Sequence, residues 1–154
     1  MIRAATLVLF LLAAPVVAQE SLLAPGQQVQ VTADSLVIEE ANKQATFTGN
    51  VLITRTGLTV RAQEVVVSYG SGIDDIQSFE AIGNVRIETA GQVASGDRAE
   101  FDPKSQILRL TGKVMVQNAA GTMGGAELTV DLATNETTFK AGEGQRVTGV
   151  FTPQ

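Results

Sequence analysis

Acidic side chains are the main groups in this sequence that could do chemistry, because its 154 residues include no histidine and no cysteine. The chain therefore has no imidazole base, no thiolate nucleophile and none of the nitrogen and sulfur ligands usual in zinc sites. Asp74-Asp75 and the set Asp97, Glu100 and Asp102 could offer oxygen ligands to a cation. Neither has the Asp-x-Asp-x-Asp-Gly spacing of a calcium loop, so we predict a solvated turn for the first and a polar strand face for the second.

Two other short motifs resemble functional signatures without completing them. Gly121–Gly125 is rich in glycine, but it lacks the Gly-Lys-Ser/Thr ending and the following helix of a phosphate-binding loop. Asn135-Glu136-Thr137 matches a glycosylation sequon, which is too short a pattern to carry weight by itself. We therefore predict that the protein is not an enzyme and uses no cofactor and no metal.

The overall charge and composition limit both the partners and the core. The chain carries 11 Lys and Arg against 16 Asp and Glu, a net charge of −5, whereas nucleic-acid binding needs a basic footprint. One tyrosine, six phenylalanines and no tryptophan leave Val, Ile, Leu and Ala to form most of the interior. We expect no nucleic-acid partner and an aliphatic core that is held by burial without disulfides.

Residues 1–18 have the organisation of a secretory signal peptide. Arg3 gives a short positive start, Ala4–Ala14 is almost wholly apolar, and Val16-Val17-Ala18 offers small residues for cleavage before Gln19. The apolar run is shorter than the roughly 20 residues that a spanning helix needs, and an uncleaved anchor is the alternative. The segment predicts export to the periplasm.

After a flexible lead-in over 19–28, the chain reads as one β domain over 29–154. Gln44–Val67 shows the pattern best, because Val, Ile, Thr and Phe alternate with polar residues on both sides of Thr56-Gly57, which is typical of a half-buried hairpin. No segment of this domain shows a sustained helical period. The alternation predicts ten strands, over 29–33, 36–39, 44–55, 58–69, 76–88, 92–101, 106–117, 121–132, 137–141 and 147–151.

A short motif recurs three times along the chain. Thr48–Val51, Ile82–Val85 and Thr111–Val114 share a Gly-polar-Val core inside predicted strands. A glycine at one strand position in all copies indicates a bend or a close backbone approach. A lone hairpin is marginal in water, so the repeated hairpins must stack their apolar faces. We predict an all-β, antiparallel, curved sheet, closed incompletely into a jelly roll or flattened barrel.

Strand alternation also predicts which residues face inward. A dry core is the simplest role for such a face, and a ligand groove is the alternative that the scarcity of large aromatic residues leaves open. Glu64–Val67 is a stretch whose face the pattern does not assign, since one inserted residue swaps the faces of a strand. The predicted inward set, and so the candidate groove lining, is Val29, Val31, Phe47, Val51, Ile53, Val60, Ala62, Val85, Ile87, Phe101, Leu108, Leu110, Val114, Val116, Leu128 and Val130.

The first and last predicted strands have no helix beside them that could cover an edge. Exposed edge strands offer unpaired N–H and C=O groups to another sheet. We therefore predict an oligomer edge at Val29 and Val31 together with Val147, Gly149 and Phe151, and expect a proline at Val31 or Val150 to block pairing.

The chain resembles the LptA/OstA family of periplasmic lipopolysaccharide-transport proteins over nearly all of 19–154. The residues that carry the resemblance are Val31–Ser35, Ala45–Val51, Arg61-Ala62 with Glu64–Val67, Leu110–Val114 and Arg146–Val150. The resemblance implies a twisted, slightly open β-jelly roll, an OstA-like domain whose groove takes the acyl chains of lipid A. It also implies head-to-tail self-association that bridges LptC at the inner membrane and LptD at the outer membrane.

Other functions remain open at this point. The chain could be a non-catalytic structural or interaction domain with a dry core, or a membrane-anchored relative similar to LptC. The net negative charge implies that acyl chains, not phosphates, carry the affinity for an anionic lipid, with Arg55, Arg61, Arg86 or Arg109 as candidates near the rim.

Overall fold

Ten β-strands form the regular structure of the computed structural model, which describes residues 28–153. The predicted signal peptide and all but one residue of the predicted lead-in lie outside the described residues. Within them no helix is long and apolar enough to cross a membrane. The strands are β1 Gln30–Thr32, β2 Ser35–Glu39, β3 Gln44–Arg55, β4 Leu58–Tyr69, β5 Ile76–Thr89, β6 Gln92–Asp102, β7 Ile107–Asn118, β8 Gly121–Asp131, β9 Glu136–Lys140 and β10 Thr148–Phe151. Each matches a predicted strand, with bounds that differ by at most one residue.

All strands belong to one antiparallel sheet whose ends do not meet. Strands β3 to β8 form a meander in which each pairs with the next. β1 and β2 both pair with β3, and β9 and β10 both pair with β8, so each end of the meander carries an edge strand broken in two. The all-β, antiparallel, slightly open architecture that the sequence predicts is therefore confirmed.

The repeated Gly-polar-Val motif forms a line of bulges across the middle of the sheet. The register shifts at 48–51 in β3, 82–85 in β5 and 111–114 in β7, where two residues stand against one on the following strand. We call residues 49–50, 83–84 and 112–113 the bulge line. Its glycines have φ of +85°, +84° and +79°, and the residue after each has φ of +46° to +48°. Because residues with a side chain rarely adopt φ near +80°, the glycine of each bulge is a backbone requirement, as the recurrence predicts.

A polar side chain lies against each glycine of the bulge line, from the bend between β1 and β2 at Gly49 and from the preceding strand at Gly83 and Gly112. A Cβ on these glycines would collide with Asp34, Gln63 or Asp97. Asp34 is itself anchored, since its N–H donates to Gly49 O at 3.0 Å and its carboxylate accepts from Asn50 Nδ2 at 3.3 Å. The bends are thus close approaches as well as left-handed turns.

The bulge line divides the sheet into two halves that fold back over one inner face. We name them after their edge strands: the β2 half holds 35–39, 44–48, 64–69, 76–82, 98–102, 107–111, 127–131 and 136–140, and the β1 half holds 30–32, 51–55, 58–62, 85–89, 92–96, 114–118, 121–125 and 148–151. Buried residues of both halves join one hydrophobic cluster, whose largest fully buried members are Leu110, Leu128, Val51, Val65 and Val85.

Leu110 anchors this cluster, since none of its surface is exposed. We expect Leu110→Ala to lower the free energy of unfolding by about 3 kcal/mol, because it removes buried methyl groups and leaves a cavity. Met115→Ala is the matched control on the same strand: Met115 is 51% exposed, so its truncation should change stability by less than about 0.5 kcal/mol. Urea unfolding of both variants makes the comparison, and equal losses would show that the interior between the halves is loosely packed.

Candidate functional site

The two halves leave an apolar cavity of about 110 Å³ between them, open on one side. Ile53, Val60 and Ile87 form its wall on the β1 half. Phe79 and Phe101 face them from the β2 half, joined on that side by Val65, Ala81, Ala99 and Leu108. Because inward residues of both halves line one cavity, the two halves of the sheet must face each other across it.

A pair of phenylalanines shapes the wall on the β2 half. Phe79 and Phe101 are register partners on β5 and β6, and their ring centroids lie 6.5 Å apart with planes tilted by 31°. Both are only half-buried, although aromatic rings in a filled core are usually covered. The pair therefore presents ring surface to the cavity.

The structure places every residue of the predicted inward set on the inner face. Val51, Ala62, Val85, Leu110, Val114, Val116 and Leu128 lie in the buried cluster; Val31, Phe47, Ile53, Ile87, Leu108 and Val130 are half-buried against it; Val29, Val60 and Phe101 line the cavity.

Several cavity residues were missing from the predicted set, namely Leu58, Val65, Phe79, Ala81 and Ala99. Val65 belongs to the stretch whose face the pattern did not assign. The single residue Gln63 stands opposite the two-residue bulge of β3, so alternation on β4 changes parity there and turns Val65 and Val67 inward. Phe79 and Ala81 share the parity of Val85 and Ile87 on the same strand, and continuous alternation would have found them.

The inner face stays apolar out to both ends of the sheet. Leu36 and Ile38 of β2 oppose the inward residues Phe47 and Ala45, and they are 49% and 51% exposed. At the other end Phe151 of β10 is 62% exposed. A dry core normally ends in polar residues at its margins, because apolar side chains left in water forgo the free energy of burial. Here the apolar lining runs from one unpaired edge to the other.

The predicted oligomer-edge residues lie in or beside the terminal edge strands. Val31 is in β1, Gly149 and Phe151 are in β10, and Val29 and Val147 each directly precede one of these strands. Among residues 28–153 the outer edges of these strands pair with no other strand. Both edges are therefore free to accept a strand from another chain.

Hydrogen-bond alternation shows which edge donors point outward. Thr152 N–H donates to Ala120 O at 2.9 Å, and this pair continues the β8–β10 register one step beyond Phe151 and Gly121. In an antiparallel ladder every second residue bonds the neighbour, so Val150 bonds β8 while Phe151 directs its N–H to the free edge. A proline at Val150 would thus break a bond inside the sheet, and the edge is better tested at Phe151.

The charged residues lie mostly on the outer face. Its ion pairs are Arg86 with Glu88, Arg98 with Glu80 at 2.9 Å and with Glu100 at 2.7 Å, and Arg109 with Glu127 at 3.5 Å. The hydrogen bond from Arg86 holds the pKa of Glu88 below its usual value. Arg61 is exposed on the same outer face, opposite Arg86. Of the four arginines considered for the rim, Arg55 alone borders the cavity.

The acidic candidates for a cation site serve local structure. Asp75 accepts hydrogen bonds from Ser71 N–H at 3.1 Å and Gln77 Nε2 at 2.9 Å, which closes the loop before β5. Asp102 accepts from Lys104 N–H at 2.8 Å, and this bond lowers its pKa. In the part of the chain described here, no three carboxylates come together as a metal site.

Comparison with known families identifies what this architecture is. A family model described as "LptA/(LptD N-terminal domain) LPS transport protein" matches residues 30–136. The chain belongs to this LptA/LptD N-terminal domain family. An uncharacterized protein of Rhizobium meliloti strain 1021 is 28% identical over 127 residues, which are 77% of this chain and 68% of that protein. The lipopolysaccharide export system protein LptA of Escherichia coli K12 is 23% identical over 133 residues, 82% of this chain and 72% of LptA.

A solved structure shows the same fold. The crystal structure of LptH from Pseudomonas aeruginosa, described as the LptA-homologous periplasmic component of a lipopolysaccharide transport device, superimposes with a TM-score of 0.72. The match covers 82% of this chain and 96% of LptH at 16% identity. The family membership and the β-jelly roll that the sequence predicts are both confirmed.

Proposed function

We propose that this protein is a periplasmic, non-enzymatic carrier that holds the acyl chains of lipopolysaccharide on its inner face. Copies stack head to tail and bridge LptC at the inner membrane to LptD at the outer membrane. Family membership supports the cargo, and the predicted signal peptide supports the compartment.

One observation carries the proposal: the inner face is apolar from edge to edge and opens into a cavity lined by residues of both halves. A domain that only assembled with others would need its free edges but not an uncovered apolar interior. When copies stack edge to edge, Leu36 and Ile38 of one would continue the lining that ends at Phe151 of the next. The exposed apolar residues at both edges then become part of one groove.

An open groove also suits a protein that must release its cargo. Burying an acyl chain gains about 0.8 kcal/mol per CH₂ group, so a closed pocket around a long chain would bind it too tightly for quick transfer. Along a continuous apolar face each step exchanges one site for a similar one, and the gain is kept while the lipid moves. No catalytic group is needed for this process.

Photo-crosslinking in cells tests the proposal. Phe101 is suited to replacement by a photoreactive phenylalanine analogue, because it is half-buried and borders the cavity, so the analogue adds little bulk to the packed core. We expect irradiation to capture lipopolysaccharide at this position. Met115 is the control: it is exposed on the outer face between the inward residues Val114 and Val116, and it should give no adduct.

The opposite results would contradict the proposal in different ways. Folded protein with no adduct at Phe101, and no lipopolysaccharide bound when it is isolated from a periplasm, would leave a structural domain with a dry core. Adducts at Phe101 and Met115 alike would indicate nonspecific contact with membrane fragments.

A further inference from the structure

Strands of two kinds alternate along the sheet. β3, β5 and β7 each carry two residues of the bulge line, whereas β4, β6 and β8 set the single residues Gln63, Asp97 and Ala126 against them. The N-terminal edge, formed by β1 and β2, is of the single-residue kind, since Asp34 lies against Gly49 of the first bulge. The alternation therefore begins with a single-residue strand at this edge.

The C-terminal edge, formed by β9 and β10, carries an enlarged bulge. On β7 the three residues 112–114 stand opposite residues 125–126 of β8, whereas on the edge the seven residues 141–147 stand opposite the same two. We call residues 141–147 the edge insert. Its extra length forms a turn, in which Gln145 N–H donates to Gly142 O at 3.0 Å. The sheet therefore ends in a single-residue edge on one side and a bulged edge on the other.

Opposite charges lie at these two edges. Asp34 is exposed at the bend of the N-terminal edge, and its carboxylate accepts a hydrogen bond from the neutral amide of Asn50 at 3.3 Å. Arg146 is exposed in the edge insert, where it follows the turn and directly precedes Val147. Among residues 28–153 neither charged side chain forms an ion pair. A second chain could therefore supply the opposite charge to each.

We propose that Arg146 of one copy pairs with Asp34 of the next and so sets the register of head-to-tail stacking. This inference rests on the stacking of copies in the proposed function. Joining the single-residue edge to the bulged edge continues the alternation across the junction, so Asp34 comes to lie opposite the edge insert. Pairing two N-terminal edges bend to bend would put Asp34 opposite Asp34, and like charges directly opposite are destabilising. The bulges and the charges thus favour one partner edge and one register over the alternatives.

A double-mutant cycle on the full mature chain tests the pair, with self-association measured by sedimentation. We expect Arg146→Gln and Asp34→Asn each to weaken association about fivefold at low salt, and the double variant to be little weaker than either. Asp34→Asn removes the charge but keeps an oxygen that can accept from Asn50. Raising NaCl from about 50 mM to about 500 mM should weaken the wild type more than Arg146→Gln, because salt screens the pair.

Three further variants separate the pair from general charge effects. Arg61→Gln removes the same charge from an exposed site on β4, inside the sheet, and Glu143→Gln removes the other charge of the edge insert, within its turn. Arg146→Lys keeps the positive charge at the proposed contact. None of the three should weaken association by more than about twofold.

Other outcomes overturn the assignment. A wild type that associates no better than Arg146→Gln would mean that copies stack without this pair, and additive losses in the double variant would mean that the two residues act at separate places. Equal weakening by Arg61→Gln and Arg146→Gln would assign the effect to net charge. A wild type that does not associate at all would remove stacking and the pair together. Lipopolysaccharide capture at Phe101 is independent of these results, so the cargo and the register are tested separately.

Discussion

Replacing Gly112 with alanine should lower the free energy of unfolding by about 3 kcal/mol, whereas the same change at Gly57 should cost only about 1 kcal/mol. Both glycines have positive φ, +79° and +77°, so both substitutions place a Cβ in the left-handed region. They differ in surroundings. A Cβ at Gly112 would lie 2.7 Å from Asp97 Cβ, while one at Gly57 would meet nothing within 4 Å. The difference between the two variants therefore isolates the close approach in the bulge line.

A double-mutant cycle with Asp97→Ala separates the cost of the positive φ at Gly112 from the cost of the contact with the Asp97 side chain. Removing the carboxylate should return part of the stability lost in Gly112→Ala, since the two changes share one contact. Urea unfolding of the single and double variants gives the coupling energy. If Gly112→Ala is no more harmful than Gly57→Ala, the bulge line is held by conformational preference alone and the side chain across it is incidental.

Prolines at the free edges should weaken the proposed head-to-tail self-association while leaving the domain folded. Asp34 N–H donates to Gly49 O, so by alternation Val37 on β2 directs its N–H to the free edge, as Phe151 does on β10. Val37→Pro and Phe151→Pro each remove a donor from one edge only, and proline is tolerated where the N–H faces solvent. We expect each variant to associate at least about tenfold more weakly than the wild type by sedimentation.

Mixing the two edge variants tests the direction of stacking. Val37→Pro keeps an intact C-terminal edge and Phe151→Pro keeps an intact N-terminal edge, so head-to-tail pairing predicts that an equimolar mixture forms heterodimers and stops there. Homodimers of either variant alone would instead show that like edges pair. Leu36→Pro is the control, because by the same alternation its N–H bonds β3, and it should lower stability as well.

Much of the fold could be predicted from the sequence, because the residue pattern within each segment is enough to specify a strand or a bend. Alternation of apolar and polar residues is a property of each strand by itself, and it predicts the bounds of all ten strands to within one residue. The recurrence of Gly-polar-Val predicts the positions of the bends, since a glycine repeated at one strand position is typical of a bend or a close backbone approach. Within a bulged strand, odd- or even-numbered residues stay on the same face across the bend, because the bulge contains two residues. Phe47 and Val51, on either side of the β3 bulge, therefore both face inward as predicted.

Alternation fails to predict the inward face of a strand where a bulge on the neighbouring strand shifts the pairing. β4 and β6 change parity at Gln63 and Asp97, single residues that stand opposite the two-residue bulges of β3 and β5. Nothing in those strands marks the change, because the bulge is set by pairing across the sheet. For this reason the face of Val65 could not be assigned from its own sequence.

The sequence by itself determined the strands, the bends, the aliphatic interior and the family to which the chain belongs. The tertiary structure alone decided that the sheet folds at the bulge line, which brings Phe101 across from Ile87 and opens a cavity between residues far apart in the chain. It also decided that Arg55 borders that cavity and that Phe151 directs its N–H away from the sheet. These features depend on register and on the angle between the two halves, which arise only when distant strands pair and their apolar faces pack together.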